Sequence, residues 1–214
     1  VRWIATAYLL RLKEDPAWKE LPDVATLPGK DWLPIVVRCR DLGDSCNTGS
    51  IYDVLCETFR KAQLSDAESA ALQAVIIEKL AAGQAILLVD GLDEIGNIGV
   101  RARFCQQIDR LQAAFPQAPM MVTSRIVGYR EMNYRIGRGF EHATVTGFSQ
   151  KDKDEFARRW CEITELPERA AKAEEELLRA IHSSDRIERL AVNPMLLTTL
   201  ALVTSTACSR HSRF

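Results

Sequence analysis

The stretch Ala85-Ile-Leu-Leu-Val-Asp-Gly-Leu-Asp-Glu94 decides the fold of this chain. A continuous apolar run leads directly into three carboxylates, Asp90, Asp93 and Glu94. A short apolar run that ends in a turn signal is typical of a strand buried on both faces. In an open α/β sheet, the carboxyl ends of the strands form the crevice in which ligands bind. The stretch therefore predicts a buried strand whose acidic end faces a binding site.

Two interpretations of the three carboxylates are open. An acid at a strand end can hold Mg²⁺ through water, and the metal in turn neutralises nucleotide phosphates. A second acid a few residues on can orient or deprotonate an attacking water. Alternatively, Asp90 and Gly91 simply begin a turn and the acids are solvated. Three acids packed as Asp-Gly-Leu-Asp-Glu favour the functional interpretation.

Strands and helices alternate around this stretch. Apolar and β-branched runs predict further strands, and helical periodicity predicts the segments between them. The strands are expected at 34–39, 119–124 and 142–146, and the helices at 1–14, 51–63, 66–82 and 99–115. Helices of this length between strands indicate a parallel sheet with helices on both faces.

The pattern changes to helix only after Gly147. Ser149 and Asp152 have the spacing of a capping box, which predicts that a helix begins there. We therefore divide the chain into an α/β core at 1–146 and a helical subdomain at 147–203. The residues 204–214 break the helical pattern and are expected to form an irregular tail without a function of their own.

Composition narrows the class of protein. Lys and Arg number 28 against 29 Asp and Glu, so the strong basic excess of a nucleic-acid-binding domain is missing. The longest apolar stretch, 191–203, is interrupted by Asn193 and Pro194 and is too short to span a bilayer. The six cysteines have no zinc-site or redox spacing, which favours reduced thiols. We expect a soluble cytoplasmic protein with no membrane or clear nucleic-acid partner.

Several segments together resemble the NACHT domain, a branch of the STAND class of P-loop NTPases. The acidic stretch resembles the family's extended Walker B motif, and the segment 120–125, Met-Met-Val-Thr-Ser-Arg, resembles its sensor-1 strand. The segment 190–197, Leu-Ala-Val-Asn-Pro-Met-Leu-Leu, resembles the proline-containing motif of its helical subdomain. Residues 1–5 look like the helix that follows a Walker A loop. The resemblance covers the chain up to about Val203.

The resemblance implies a P-loop NTPase-type parallel sheet flanked by helices and followed by an all-α subdomain. It also implies ATP and Mg²⁺ as cofactors. Asp90 would hold the metal, and Glu94 and Asp93 would be catalytic. Arg125 would sense the terminal phosphate, and Pro194 would pack against the adenine.

Ordinary structural roles remain open for the last two residues. Arg125 could pair with a surface acid or with Asp93 rather than with phosphate. Asn193 is a preferred N-cap residue and Pro194 suits the first helical position, so this pair could simply begin a helix. Both roles of the proline are compatible, because the helix start would then lie at the base.

No Gly-x-x-x-x-Gly-Lys-Ser/Thr sequence occurs in the 214 residues. That loop is the main phosphate cradle of P-loop proteins, and its strand belongs inside the sheet. We expect the chain to start just after the loop and to be inactive by itself. We also expect it to aggregate when expressed alone, because an interior sheet edge with unpaired backbone groups would be exposed.

The implied function is that of an ATP-dependent signalling switch, which exchanges or hydrolyses nucleotide and then self-associates. Innate immune signalling or defence against phage would be its context, with sensor and effector domains outside this chain. The alternatives are another P-loop ATPase such as an AAA+ machine, a degenerate scaffold that binds partners without nucleotide, or an unrelated α/β enzyme. The Asp-Gly-Leu-Asp-Glu stretch and the later Asn-Pro argue against an AAA+ machine.

Overall fold

The computed structural model describes residues 1–42, 50–137 and 139–211 of the chain. They belong to two compact units, Val1–His142 and Ala143–Phe214. The first unit contains a parallel sheet with helices on both faces, and the second is helical. This confirms the predicted fold class.

Three parallel strands form the sheet in the order β1 (Leu33–Arg38), β2 (Ala85–Asp90) and β3 (Met120–Val122). β1 and β2 pair in full register from Leu33 opposite Ala85 to Arg38 opposite Asp90. Because the strands are parallel, their carboxyl ends lie at one edge of the sheet. The end of the acidic stretch therefore lies between the residues that follow β1 and β3.

The central strand is apolar throughout because both of its faces are covered. Leu87 and Val89 pack into a core under helices α2 (Ile51–Lys61), α3 (Asp66–Ala81) and α4 (Ile98–Ala114). Ile86 and Leu88 pack on the opposite face against Tyr8 of helix α1 (Arg2–Leu12). This two-sided burial explains the unbroken run from which the strand was predicted.

Side-chain caps fix the beginnings of two of these helices. Ser65 and Glu68 form a capping box at α3. At α4, Asn97 Oδ1 accepts hydrogen bonds from the backbone N–H groups of Gly99 and Val100. The Asn97 cap matters for the site, because α4 starts immediately after the acidic turn. A short helix, α5 (Ile126–Arg130), follows β3.

The predicted strand at 142–146 was wrong. The structure assigns no strand to this segment, and the side chain of Val145 is 98% exposed. The segment has the composition of a strand, but strand formation requires a hydrogen-bonded neighbour and a buried face. Within the described residues, this segment has neither.

Helices α6 (Gln150–Thr164), α7 (Pro167–Ile181), α8 (Asp185–Leu190) and α9 (Pro194–His211) form the second unit. Its small core includes Ala157, Cys161, Leu177 and Leu197. The capping box predicted at Ser149 is present at the start of α6.

The predicted irregular tail was wrong over 204–211, because α9 continues through these residues. The polar residues of the helix do not stop it: the hydroxyl group of Thr204 donates to the carbonyl oxygen of Leu200 within the helix. Residues 212–214 lie outside the described part of the chain. Across the described helices, none is both long and apolar enough to cross a membrane.

Candidate functional site

Thr123 joins the ends of β2 and β3 at the carboxyl edge of the sheet. Its hydroxyl donates to Asp90 Oδ1 at 2.9 Å and accepts the backbone N–H of Gly91 at 3.1 Å. Its own backbone N–H donates to the carbonyl of Val89, and its carbonyl accepts from the N–H of Leu92. The backbone hydrogen bonds between β2 and β3 therefore continue to Thr123, and the hydroxyl of Thr123 orients the carboxylate of Asp90. Asp90 lies half-buried at this edge.

Gly91 makes the sharp turn that follows. Its φ of +75° lies in the left-handed region, and a Cβ there would lie 2.9 Å from Glu94 Cδ. The positive φ favours glycine, and any larger residue would also have to displace the end of the Glu94 side chain. Leu92 then begins a 3₁₀ turn, Leu92–Glu94, and is fully buried in the core. The turn at Gly91 and the burial of Leu92 together fix the positions of Asp93 and Glu94.

Asp93 is bonded to the residue that the sequence predicted as a phosphate sensor. Its Oδ1 accepts the backbone N–H of Arg125 at 2.8 Å, and its Oδ2 lies 3.5 Å from Arg125 Nε. The carboxylate is 15% exposed, whereas the arginine side chain is 86% exposed. The structure therefore contains the pairing that the sequence left open as an alternative. An ion pair with so exposed a partner contributes little to stability.

Glu94 is paired with a residue that sequence reasoning missed. Arg40 lies just after β1 in the turn Cys39–Asp41, and its Nε is 3.4 Å from Glu94 Oε2. Both side chains are accessible to solvent. The end of β1 therefore contributes a cation to the same edge of the sheet, beside the acid that was predicted to be catalytic. Parallel pairing of β1 with β2 could have pointed to Arg40, because it brings the residues that follow the two strands together.

Arg101 of α4 was also missed, and it is the most buried charged side chain near the acidic turn. The residue is only 5% exposed, and its guanidinium donates to three backbone carbonyls, those of Asp93, Ile95 and Gly128. The distances lie between 2.6 and 3.0 Å. A charged residue on the otherwise apolar stripe of a helix was the signal that could have found it.

Pro194 lies in the second unit, as the first residue of α9. Asn193 Oδ1 accepts the backbone N–H of Met195 at 2.9 Å, so the pair begins the helix as an ordinary capped start. The proline is exposed. This is the structural role that the sequence left open for the pair.

The acidic edge has the chemistry of a partial Mg²⁺ site. Mg²⁺ prefers oxygen ligands and keeps several waters, taking one or two carboxylates together with phosphate oxygens. Asp90 offers a fixed carboxylate of this kind. In the described ranges, no three His, Cys, Asp or Glu side chains converge on one point. Mg²⁺ in nucleotide sites commonly completes its coordination with water and phosphate oxygens.

A comparison with family models matches the NACHT domain over residues 23–163, which is more than half of the chain. The match includes all three strands, the acidic turn, Arg101 and Arg125. Comparisons with curated proteins and with solved structures gave no match. The match and the parallel sheet with its acidic edge agree: the chain belongs to the NACHT domain family of nucleotide-binding P-loop NTPases.

Proposed function

We propose that this chain is the ATP- and Mg²⁺-binding module of a NACHT signalling switch. The observation that carries the proposal is the linkage of Asp90, Thr123, Asp93 and Arg125 at the carboxyl edge of the sheet. Two neighbouring strand ends are bonded to each other through residues suited to a metal and a phosphate. A nucleotide bound there would contact both ends at once.

Asp90 is the proposed metal residue. When bound, Mg²⁺ would neutralise charge on the nucleotide phosphates. Asp90 would hold it directly or through water, and the hydroxyl of Thr123 would keep the carboxylate in place, because it donates to Oδ1. Thr123 is thus a positioning residue in this proposal.

Glu94 and Asp93 are the proposed catalytic acids, with different tasks. Glu94 is accessible to solvent, so a water could approach it and be oriented or deprotonated. Arg40 lies beside it, with Nε 3.4 Å from Glu94 Oε2. Asp93 is more buried and holds the backbone of Arg125, so its contribution is to place that arginine.

Arg125 is the proposed phosphate sensor. Its exposed guanidinium would have to leave only a 3.5 Å ion pair with Asp93 to contact a phosphate. Such an exposed pair is weak, whereas guanidinium and phosphate can form two parallel hydrogen bonds. The backbone N–H of Arg125 can stay on Asp93 while the side chain changes partner. Pro194 belongs to the proposed helical subdomain 147–203. It is the residue proposed to contact the adenine base.

The proposal requires a phosphate-binding loop that these 214 residues do not contain. Asp90 and Glu94 are acceptors and cannot replace the N–H donors of that loop. The loop would have to be supplied by further chain of the same protein. Self-association, a cytoplasmic location and a role in immune or antiphage signalling are proposed on the resemblance to the family.

A scaffold without nucleotide is the second candidate. The pairing of both proposed catalytic acids with arginines favours it, because Asp93 and Glu94 are then satisfied without a ligand. Such a module would bind its partners equally well with and without Mg²⁺ and ATP.

Equilibrium binding of ADP and a non-hydrolysable ATP analogue to the full-length protein, with Mg²⁺ and with EDTA, separates the candidates. Asp90→Asn should remove the Mg²⁺-dependent part of the affinity. Asp31→Asn is the matched control, since Asp31 precedes β1 at the opposite edge of the sheet and pairs with Arg11. Absence of nucleotide binding in the wild type would favour the scaffold, and equal binding by Asp90→Asn would remove Asp90 from the metal site.

A further inference from the structure

Arg101 connects two segments that lie far apart in the sequence. Nη2 donates to the carbonyl of Asp93 at 2.9 Å, and Nη1 donates to the carbonyl of Gly128 at 2.7 Å. Nε and Nη2 both donate to Ile95, which closes the acidic turn. A single side chain on α4 therefore holds the acidic turn and the helix that begins after Arg125.

The partners of this arginine are unusual for a buried charge. Burying a guanidinium is costly unless its donors are satisfied, and a carboxylate is the common partner. In the described part of the chain, the acceptors of Arg101 are backbone carbonyls. Because Arg101 bonds to the backbone carbonyl of Asp93, the carboxylate of Asp93 remains available to accept the N–H of Arg125.

Gly128 brings the same two segments into direct contact. A Cβ on this residue would lie 2.7 Å from Asp93 Cβ and 3.2 Å from Arg101 Nη1. Backbone and side chain of Asp93 are thus enclosed by Arg101, Arg125 and Gly128. The space between α5 and Asp93 therefore admits no side chain at position 128, so a larger residue there would displace one of the two segments.

We infer that Arg101 is a positioning residue of the nucleotide site, which sets the placement of Asp93 relative to Arg125 by holding the carbonyls of Asp93 and Gly128. This inference rests on the proposed function. Arg101 does not contact the nucleotide: it acts through the two backbone segments. If Arg125 contacts the terminal phosphate, displacing its segment weakens ATP binding and leaves the contacts common to ATP and ADP in place.

The ratio of the affinities for the ATP analogue and for ADP is the decisive readout. A purely structural loss lowers the folded fraction, and this reduces the apparent binding of both nucleotides equally. Misplacement of Arg125 relative to Asp93 changes the ratio itself. We expect Arg101→Met to reduce the preference for the ATP analogue by at least about tenfold, the lower end of what one hydrogen bond to a charged group contributes.

Gly128→Ala provides a second test that keeps the arginine, in case Arg101→Met does not fold. Its Cβ would push Asp93 and α5 apart, so it should shift the ratio in the same direction. Gly96→Ala is the matched control, because a Cβ at Gly96 has no neighbour within 4 Å. The measurement uses the full-length protein with Mg²⁺, below the unfolding transition of each variant.

The outcomes distinguish the two proposals. If the wild type binds no nucleotide, the proposed function fails and this inference fails with it. If the wild type prefers the ATP analogue and the folded variants at 101 and 128 keep the same preference, the proposed function stands and only the role of Arg101 is overturned. A reduced preference in these variants, with Gly96→Ala unchanged, supports the inference.

Discussion

Arg125 donates its backbone N–H to Asp93 Oδ1 at 2.8 Å while its guanidinium Nε lies 3.5 Å from Oδ2 of the same carboxylate. The backbone of Arg125 is fixed by a short hydrogen bond. The ion pair of its side chain is weak, because that side chain is mostly exposed to water. A residue of this kind can change the partner of its side chain without a change of fold.

We therefore predict that Arg125→Ala leaves the stability of the protein nearly unchanged. The exposed ion pair is lost but the backbone hydrogen bond is kept, so the free energy of unfolding should change by less than about 0.5 kcal/mol. Chemical denaturation measures it, with Arg179→Ala, which breaks an exposed helical pair with Glu175, as the control. In the full-length protein the same variant should lose affinity for ATP and keep its affinity for ADP. Equal loss for both nucleotides would contradict the sensor role.

Thr123→Val tests the link between the two strand ends. Valine has nearly the same shape but removes the donor to Asp90 and the acceptor for the N–H of Gly91. Leaving partly buried groups unsatisfied should cost about 1–3 kcal/mol of unfolding free energy. Thr199→Val is the control, since its hydroxyl bonds to the exposed backbone of its own helix and the expected change is within about 0.5 kcal/mol.

Thr123→Ser keeps the hydroxyl and should restore most of the stability lost in Thr123→Val. In the full-length protein, we expect serine to preserve Mg²⁺-dependent nucleotide binding and valine to weaken it. If valine unfolds at the same denaturant concentration as the wild type, the hydroxyl does not hold Asp90.

Gly91→Ala tests the turn of the acidic motif. Alanine would have to adopt φ of +75° with its Cβ 2.9 Å from Glu94 Cδ, so the free energy of unfolding should fall by about 1–3 kcal/mol. Gly96→Ala meets neither obstacle, and it should be neutral or slightly stabilising. Calorimetric melting of the two variants side by side makes the comparison. Similar melting temperatures would show that the turn tolerates a side chain.

The buried thiol of Cys105 should be unreactive in the folded protein. Burial, together with the nearby carboxylate of Asp109, raises the pKa of this thiol to about 12. The thiolate is the reactive form, so at pH 8 only roughly one thiol in ten thousand would be ionised. Mass spectrometry after alkylation should show Cys105 labelled far more slowly than Cys56, which is only half-buried. Denaturant should remove the difference, and rapid labelling of native Cys105 would argue against this core.

The sheet could be predicted because its strands carry strong local signals. The run from Ala85 to Val89 is apolar on both faces, and the structure covers both faces. The segment 142–146 has a similar signal in its composition, but whether it pairs depends on a neighbour, which composition does not encode. Likewise, the hydroxyl group of Thr204 does not break α9, because it donates to the carbonyl of Leu200 in the same helix.

The acidic residues of the candidate site could be predicted from the sequence, but the contacts of Arg40 and Arg101 that hold them could not. Asp90, Asp93 and Glu94 form a compact motif, and Arg125 follows a predicted strand, so all four were visible in the sequence. The place of Arg101 on the apolar stripe of α4 could have marked it as a buried charge, but its acceptors could not be predicted, because they are backbone carbonyls from separate segments. Arg40 became significant only once the strand order was known.

The central claim is that the acidic turn acts on a bound nucleotide, and Glu94→Gln in the full-length protein tests it most directly. Glutamine keeps the shape of the side chain but cannot serve as a base. We predict that the variant binds Mg²⁺-ATP like the wild type while its single-turnover hydrolysis is slower by a factor of at least about 100, the lower range for general-base catalysis. Equal rates of hydrolysis in wild type and variant would contradict the account, because Glu94 would then have no role in the chemistry.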